Sequence, residues 1–210
     1  MKLRARNNRA SGRIKSACTY VSLAGLLALP MQSWADSKDG TFPTAEQVGG
    51  QVYINPIAVG KKLPLDFETY DMKGEKANLA KVVEGKRSMV VFFISAVPIS
   101  VNELVKIENF ASKYGRGLNL VFVNADTVGS ALTGGPKAVV PNTVKTMHTI
   151  KKEQNLKTTA LYVAPNDALS ADGVSTRLGI RGLPTAFVIN EKGLVEKVFV
   201  GPQNWKKGDI

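Results

Sequence analysis

Thiols are almost missing from this 210-residue chain: its one cysteine is Cys18. Attack on a disulfide needs a sulfur nucleophile, and an intrachain disulfide needs two. Histidine is equally scarce, with His148 alone. A soft metal needs several converging ligands, and Met147 beside His148 does not supply them. No metal or cofactor is therefore expected. A serine nucleophile needs an oriented base, and no acid is placed beside His148 by sequence. No segment interleaves aromatic with basic residues, which argues against a nucleic-acid partner.

The N-terminus carries Lys2, Arg4, Arg6, Arg9, Arg13 and Lys15 without an acid, followed by an apolar run from Ala17 to Leu29 that Pro30 breaks. That run is shorter than the roughly 20 residues that span a bilayer. Ser33, Trp34 and Ala35 offer small residues at both cleavage-determining positions, so residues 1–35 read as a secretory signal cut after Ala35. Cys18 lies inside it. The competing reading is an uncleaved anchor. Of the 28 basic residues six lie in this segment, leaving 22 against 17 acidic ones and a net charge of +5. Such a charge favours solubility and weak attraction to anionic membrane surfaces. The expected location is periplasmic or secreted, and the mature chain would contain no cysteine.

Residues 36–57 hold Pro43, Gly49, Gly50 and Pro56 and read as an N-terminal arm. One domain over 58–210 follows. Leu65 and Phe67 lie in an extended stretch, Asp71 to Gly74 form a turn, and Leu79, Val82 and Val83 mark a short helix. Met89 to Ile94 is a continuous apolar run, the pattern of a strand buried on both faces. Ser100 and Glu103 have the spacing of a capping box, which starts a helix at Ser100. Leu104, Ile107, Phe110, Ala111 and Tyr114 recur at helical spacing until Gly115. Leu118 to Val123 is a second buried strand, so the three elements form a βαβ unit with parallel strands.

Gly129, Gly134, Gly135, Pro136 and Pro141 make 124–141 an irregular loop. It lacks the Gly-Lys-Ser/Thr ending of a phosphate loop. Asn142 to Leu156 reads as a helix that carries Lys145, Lys151 and Lys152 largely off its apolar face, with Lys157 just beyond. These lysines suit an acidic partner or simple solvation. Ala160 to Val163 is a short strand, and 167–179 is helical in part, with Gly173 against it. Thr185 to Ile189 and Leu194 to Val200 form a terminal hairpin.

Several ordered phrases resemble the redoxin or TlpA-like branch of the thioredoxin-like superfamily. They are Val59 to Phe67 (VGKKLPLDF), Gly85-Lys86-Arg87 ahead of the Val/Phe strand, and Gly182 to Asn190 (GLPTAFVIN), with Gly193 in the hairpin. The resemblance implies a thioredoxin-like α/β fold, a central mixed β-sheet flanked by helices on both faces. It further implies a cis-proline loop at Pro184. An ungapped alignment of Phe92 to Leu104 sets Val97 and Ser100 at the positions of the family's Cys-x-x-Cys cysteines, with Pro98 and Ile99 between; a shift of one residue would bring Pro98 or Val101 into register instead, and neither register supplies a thiol. Thiol–disulfide activity therefore does not carry over.

In the family the cis-proline loop and the Cys-x-x-Cys position together bind extended peptide. By that resemblance Val97, Pro98, Ile99, Leu183 and Pro184 would border an apolar groove for a protein or extended peptide, without reacting with it. The first reading is accordingly a secreted, redox-inactive, partner- or client-binding protein of the cell envelope. Its rivals are a thiol-disulfide oxidoreductase or peroxiredoxin-like protein that uses an external thiol, and a structural accessory subunit that docks through 124–141 or 36–56.

Overall fold

A computed structural model of the chain describes residues 57–126, 134, 136–167, 170–180 and 182–210. The signal segment and nearly all of the arm read from sequence, at 1–35 and 36–57, lie outside the described residues. Eleven elements follow: β1 (Thr69–Tyr70), β2 (Lys76–Ala77), α1 (Leu79–Val83), β3 (Ser88–Phe93), α2 (Pro98–Tyr114), β4 (Asn119–Asn124), α3 (Pro136–Glu153), β5 (Leu161–Val163), α4 (Val174–Leu178), β6 (Thr185–Ile189) and β7 (Val195–Val200). The strands make one mixed sheet in the order β2-β1-β5-β4-β3-β6-β7.

The apolar run at 89–94 becomes the middle of this sheet, because Met89 to Phe93 have no polar side chain to offer water and all are fully buried. β3 runs parallel to β4, with Val90 opposite Val121, and antiparallel to β6, with Phe92 opposite Thr185. Alternation along β3 divides the core. Met89, Val91 and Phe93 face Val101, Leu104 and Ile107 of α2 and Val140, Met147 and Ile150 of α3. Val90 and Phe92 face Leu79 and Val83 of α1 and Val174 and Leu178 of α4. Helices thus cover both faces, which gives the thioredoxin-like α/β architecture.

The turn at 71–74 joins β1 to β2, and the Asp71 carboxylate accepts the Lys73 and Glu75 amides at 2.8 and 3.0 Å. The α1 helix is capped by Asn78, whose Oδ1 accepts from the Lys81 amide at 3.2 Å.

Three sequence expectations need correction. The helix expected to start at a Ser100–Glu103 capping box starts at Pro98 instead, with Val97 as N-cap and no side-chain cap bond. Proline fits the first helical position, because its missing N–H would have no partner there. The early start carries both Ser100 and Glu103 onto the buried face, each with no exposed surface. The irregular loop expected up to Pro141 gives way to helix at Pro136, and α3 contains Pro141. Most of that loop, 127–133 and 135, lies outside the described residues. The hairpin is also not terminal. Residues 201–210 fold back so that Trp205 stacks on Phe110 at 5.0 Å and meets Phe199 edge-on at 4.9 Å.

Candidate functional site

The strand registers bring two loops to one end of the sheet. Ser95 to Val97 leave the end of β3, and Leu183 and Pro184 lead into the start of β6, its antiparallel neighbour, with Phe92 opposite Thr185. The Leu183–Pro184 peptide bond is cis. Pro184 is buried, Leu183 is half-buried against the α1/α4 side of the core, and the Thr185 hydroxyl donates back to the Gly182 carbonyl.

Val97 and Ser100 occupy physically different places. Val97 is the N-cap of a 17-residue helix and is half-buried, Pro98 is exposed, and Ile99 is 52% exposed. A thiolate at such a helix terminus would be stabilised by the converging amides; valine has no charge for them to act on. Ser100 is fully buried, and its hydroxyl oxygen accepts the Ile94 amide at 3.3 Å. That bond joins the first turn of α2 to the end of β3. His148 is exposed on α3 and donates from Nε2 to the Met72 carbonyl at 2.9 Å. It is thereby committed elsewhere, and Ser100 is a packing residue to which no base is brought among the described residues.

The loop after β3 is held by Asp126, a residue that sequence reading passed over. The Ser95 amide and hydroxyl both donate to the Asp126 carboxylate. Asp126 is in turn set by its own amide, which donates to Asn124 Oδ1 at 2.9 Å, and by the Ala125 amide on the Phe93 carbonyl at 2.8 Å. Asn124 is fully buried, and its Nδ2 has no hydrogen-bond partner among the described residues. Ser95 and Asp126 lie 31 positions apart, so only strand pairing brings them together, and no local motif could have announced it.

Glu103, read as half of a capping box, serves the tail. Its buried carboxylate accepts the Trp205 indole N–H at 2.7 Å and the Gln203 amide at 2.9 Å, and it pairs with Lys106 at 3.0 Å. On the other flank of α2, Glu108 accepts from the Thr158 amide at 2.6 Å, from its hydroxyl, and from the Lys157 amide at 3.0 Å. Burial alone would raise the Glu108 pKa. The Thr158 hydroxyl, the two amides and the Lys157 charge together outweigh burial and hold it below its ordinary value of 4.5. Among the described residues no three histidines, cysteines or carboxylates cluster to hold a metal ion.

A search of curated proteins returns no significant match. Among solved structures, a thiol peroxidase from Chromobacterium violaceum is 15% identical, with a TM-score of 0.51, over 74% of this chain and 83% of its own. A Bacteroides thetaiotaomicron protein described as a protein disulfide isomerase is 18% identical, with a TM-score of 0.51, over 73% of this chain and 86% of its own. A thioredoxin-family thiol:disulfide interchange protein from Chlorobium tepidum is 21% identical, with a TM-score of 0.46, over 70% and 90%. At these identities the likeness to the first two is one of fold. The Redoxin family model matches residues 58–210, the whole of the domain read from sequence. The chain belongs to the Redoxin family.

Proposed function

We propose that this redoxin uses its fold for recognition and not for thiol exchange: it binds an extended polypeptide of the cell envelope along Val97 to Ile99 and Leu183–Pro184. One observation carries the reading. At the helix terminus where the family resemblance sets its first cysteine, the chain presents Val97, Pro98 and a largely exposed Ile99, and residues 57–210 contain no cysteine at all.

Exposed apolar residues at a structured edge are unfavourable in water and are matched by apolar side chains of a bound segment. The Asp126 bonds fix the Ser95 loop, so the edge is pre-ordered and binding loses less entropy. The envelope location rests on the export-type pattern of residues 1–35. Among the described residues no helix is long and apolar enough to cross a membrane.

The test places a photoreactive side chain at Ile99, at Leu183 and, as control, at the exposed Tyr114 on the far end of α2. The expected result is crosslinking of the same extended segment from Ile99 and Leu183 and none from Tyr114. Leu183→Asp should weaken that capture by placing a charge in an apolar contact. Crosslinks from Tyr114 alone would move the binding surface elsewhere.

A further inference from the structure

Exposed cations gather at the end of the sheet opposite this edge. Lys81 lies in α1 and Lys86 in the link from α1 to β3, Arg116 lies in the link into β4, and Lys192 sits in the β6–β7 turn. Lys62 joins them through its bridge to Leu194. The ladders fix the grouping, since Ser88 at the start of β3 pairs with Asn119 on one side and Ile189 on the other.

Lys62, Lys81 and Lys192 line one cleft of about 440 Å³. Among the described residues none of the five cations forms an ion pair, whereas Lys76 pairs with Glu68, Arg87 with Glu196, Lys106 with Glu103 and Arg177 with Asp66. The nearby acids Glu84 and Glu191 offset two of these five charges.

We propose that this end docks the protein on an anionic bilayer surface, with the Val97/Pro184 edge turned away from the lipid. Four of the five cations are lysines, hydrated point charges on flexible stems, and not the forked guanidinium that selects a single carboxylate or phosphate. They project from separate elements, a distribution that matches a diffuse surface potential more than an ordered ligand. The orientation follows from the fold: the two ends of β3 and β6 point in opposite directions.

The test sediments the mature chain, from Asp36 onward and so free of the basic and apolar residues 1–35, with phosphatidylglycerol-rich vesicles and with phosphatidylcholine vesicles. Binding is expected to the first only and to weaken with salt, which screens surface charges beyond about 8 Å at physiological strength. Lys81→Gln, Lys86→Gln, Lys192→Gln together should weaken it on the order of a hundredfold. The corresponding arginine triple should retain it. Lys145→Gln, Lys151→Gln, Lys152→Gln on α3 makes the same charge change and should lose far less. Equal losses from the two glutamine triples, or loss in the arginine triple, would overturn the proposal. So would wild-type capture of soluble polyglutamate without vesicle binding, which would assign the surface to an acidic polypeptide.

Discussion

The buried carboxylate of Glu103 accepts the indole N–H of Trp205, 102 residues later, at 2.7 Å. This bond closes the C-terminal tail over α2, next to the Phe110–Trp205 stack. Glu103→Leu removes the acceptor and leaves two donors, the Trp205 indole and the Gln203 amide, without a partner. Each such loss costs about 1–3 kcal/mol. Chemical denaturation followed by Trp205 emission should show a loss of at least about 2 kcal/mol and a shifted native spectrum. An unchanged spectrum would mean that the tail is held by stacking alone.

Ser100 separates a cap from a buried acceptor. Ser100→Ala should cost about 1–2 kcal/mol through the stranded Ile94 amide. Ser100→Asp is the informative variant. An N-cap tolerates aspartate as well as serine, whereas a fully buried position penalises an unpaired charge. Ser100→Asp is expected to be less stable than Ser100→Ala; the reverse order would restore the cap.

Acid sensitivity should trace in part to Glu108. Its folded pKa lies below the ordinary 4.5, so the stabilisation it contributes is fully present above that value. It is lost as pH falls through the lower, folded value. Glu108→Gln should therefore flatten the decline of stability below about pH 4.5 while lowering stability at neutral pH. Parallel curves for wild type and variant below that pH would exclude the assignment.

Gly173 is required by space. A Cβ there would lie 2.0 Å from the Asp167 carbonyl oxygen, so any side chain forces backbone apart. Gly173→Ala should cost about 1–3 kcal/mol, read from a thermal melt, and a neutral outcome would show that the backbone at Asp167 and Gly173 relaxes freely.

What was legible in the sequence was mostly local or periodic. The run at 89–94 became a central strand because five successive apolar side chains admit burial on both sides. Leu104, Ile107 and Phe110 marked the inner face of α2 by their spacing. The Ser-x-x-Glu spacing misled because positions three apart share a helix face whether that face is a terminus or the core. Pro98 decided between the two. The Asp126 clasp on Ser95 and the Glu103 clasp on Trp205 were illegible, since each joins residues that only the sheet and the returning tail bring together.

Insulin disulfide reduction shows whether this redoxin performs thiol exchange. Wild type, Cys18→Ser, and Val97→Cys with Ser100→Cys are compared, each purified free of thioredoxin. Background rates are expected for the first two and, since turnover needs a thiolate, activity only when the two cysteines are installed at the helix terminus. Turnover by the wild-type chain, whether or not it survives Cys18→Ser, would show that the redoxin does exchange thiols.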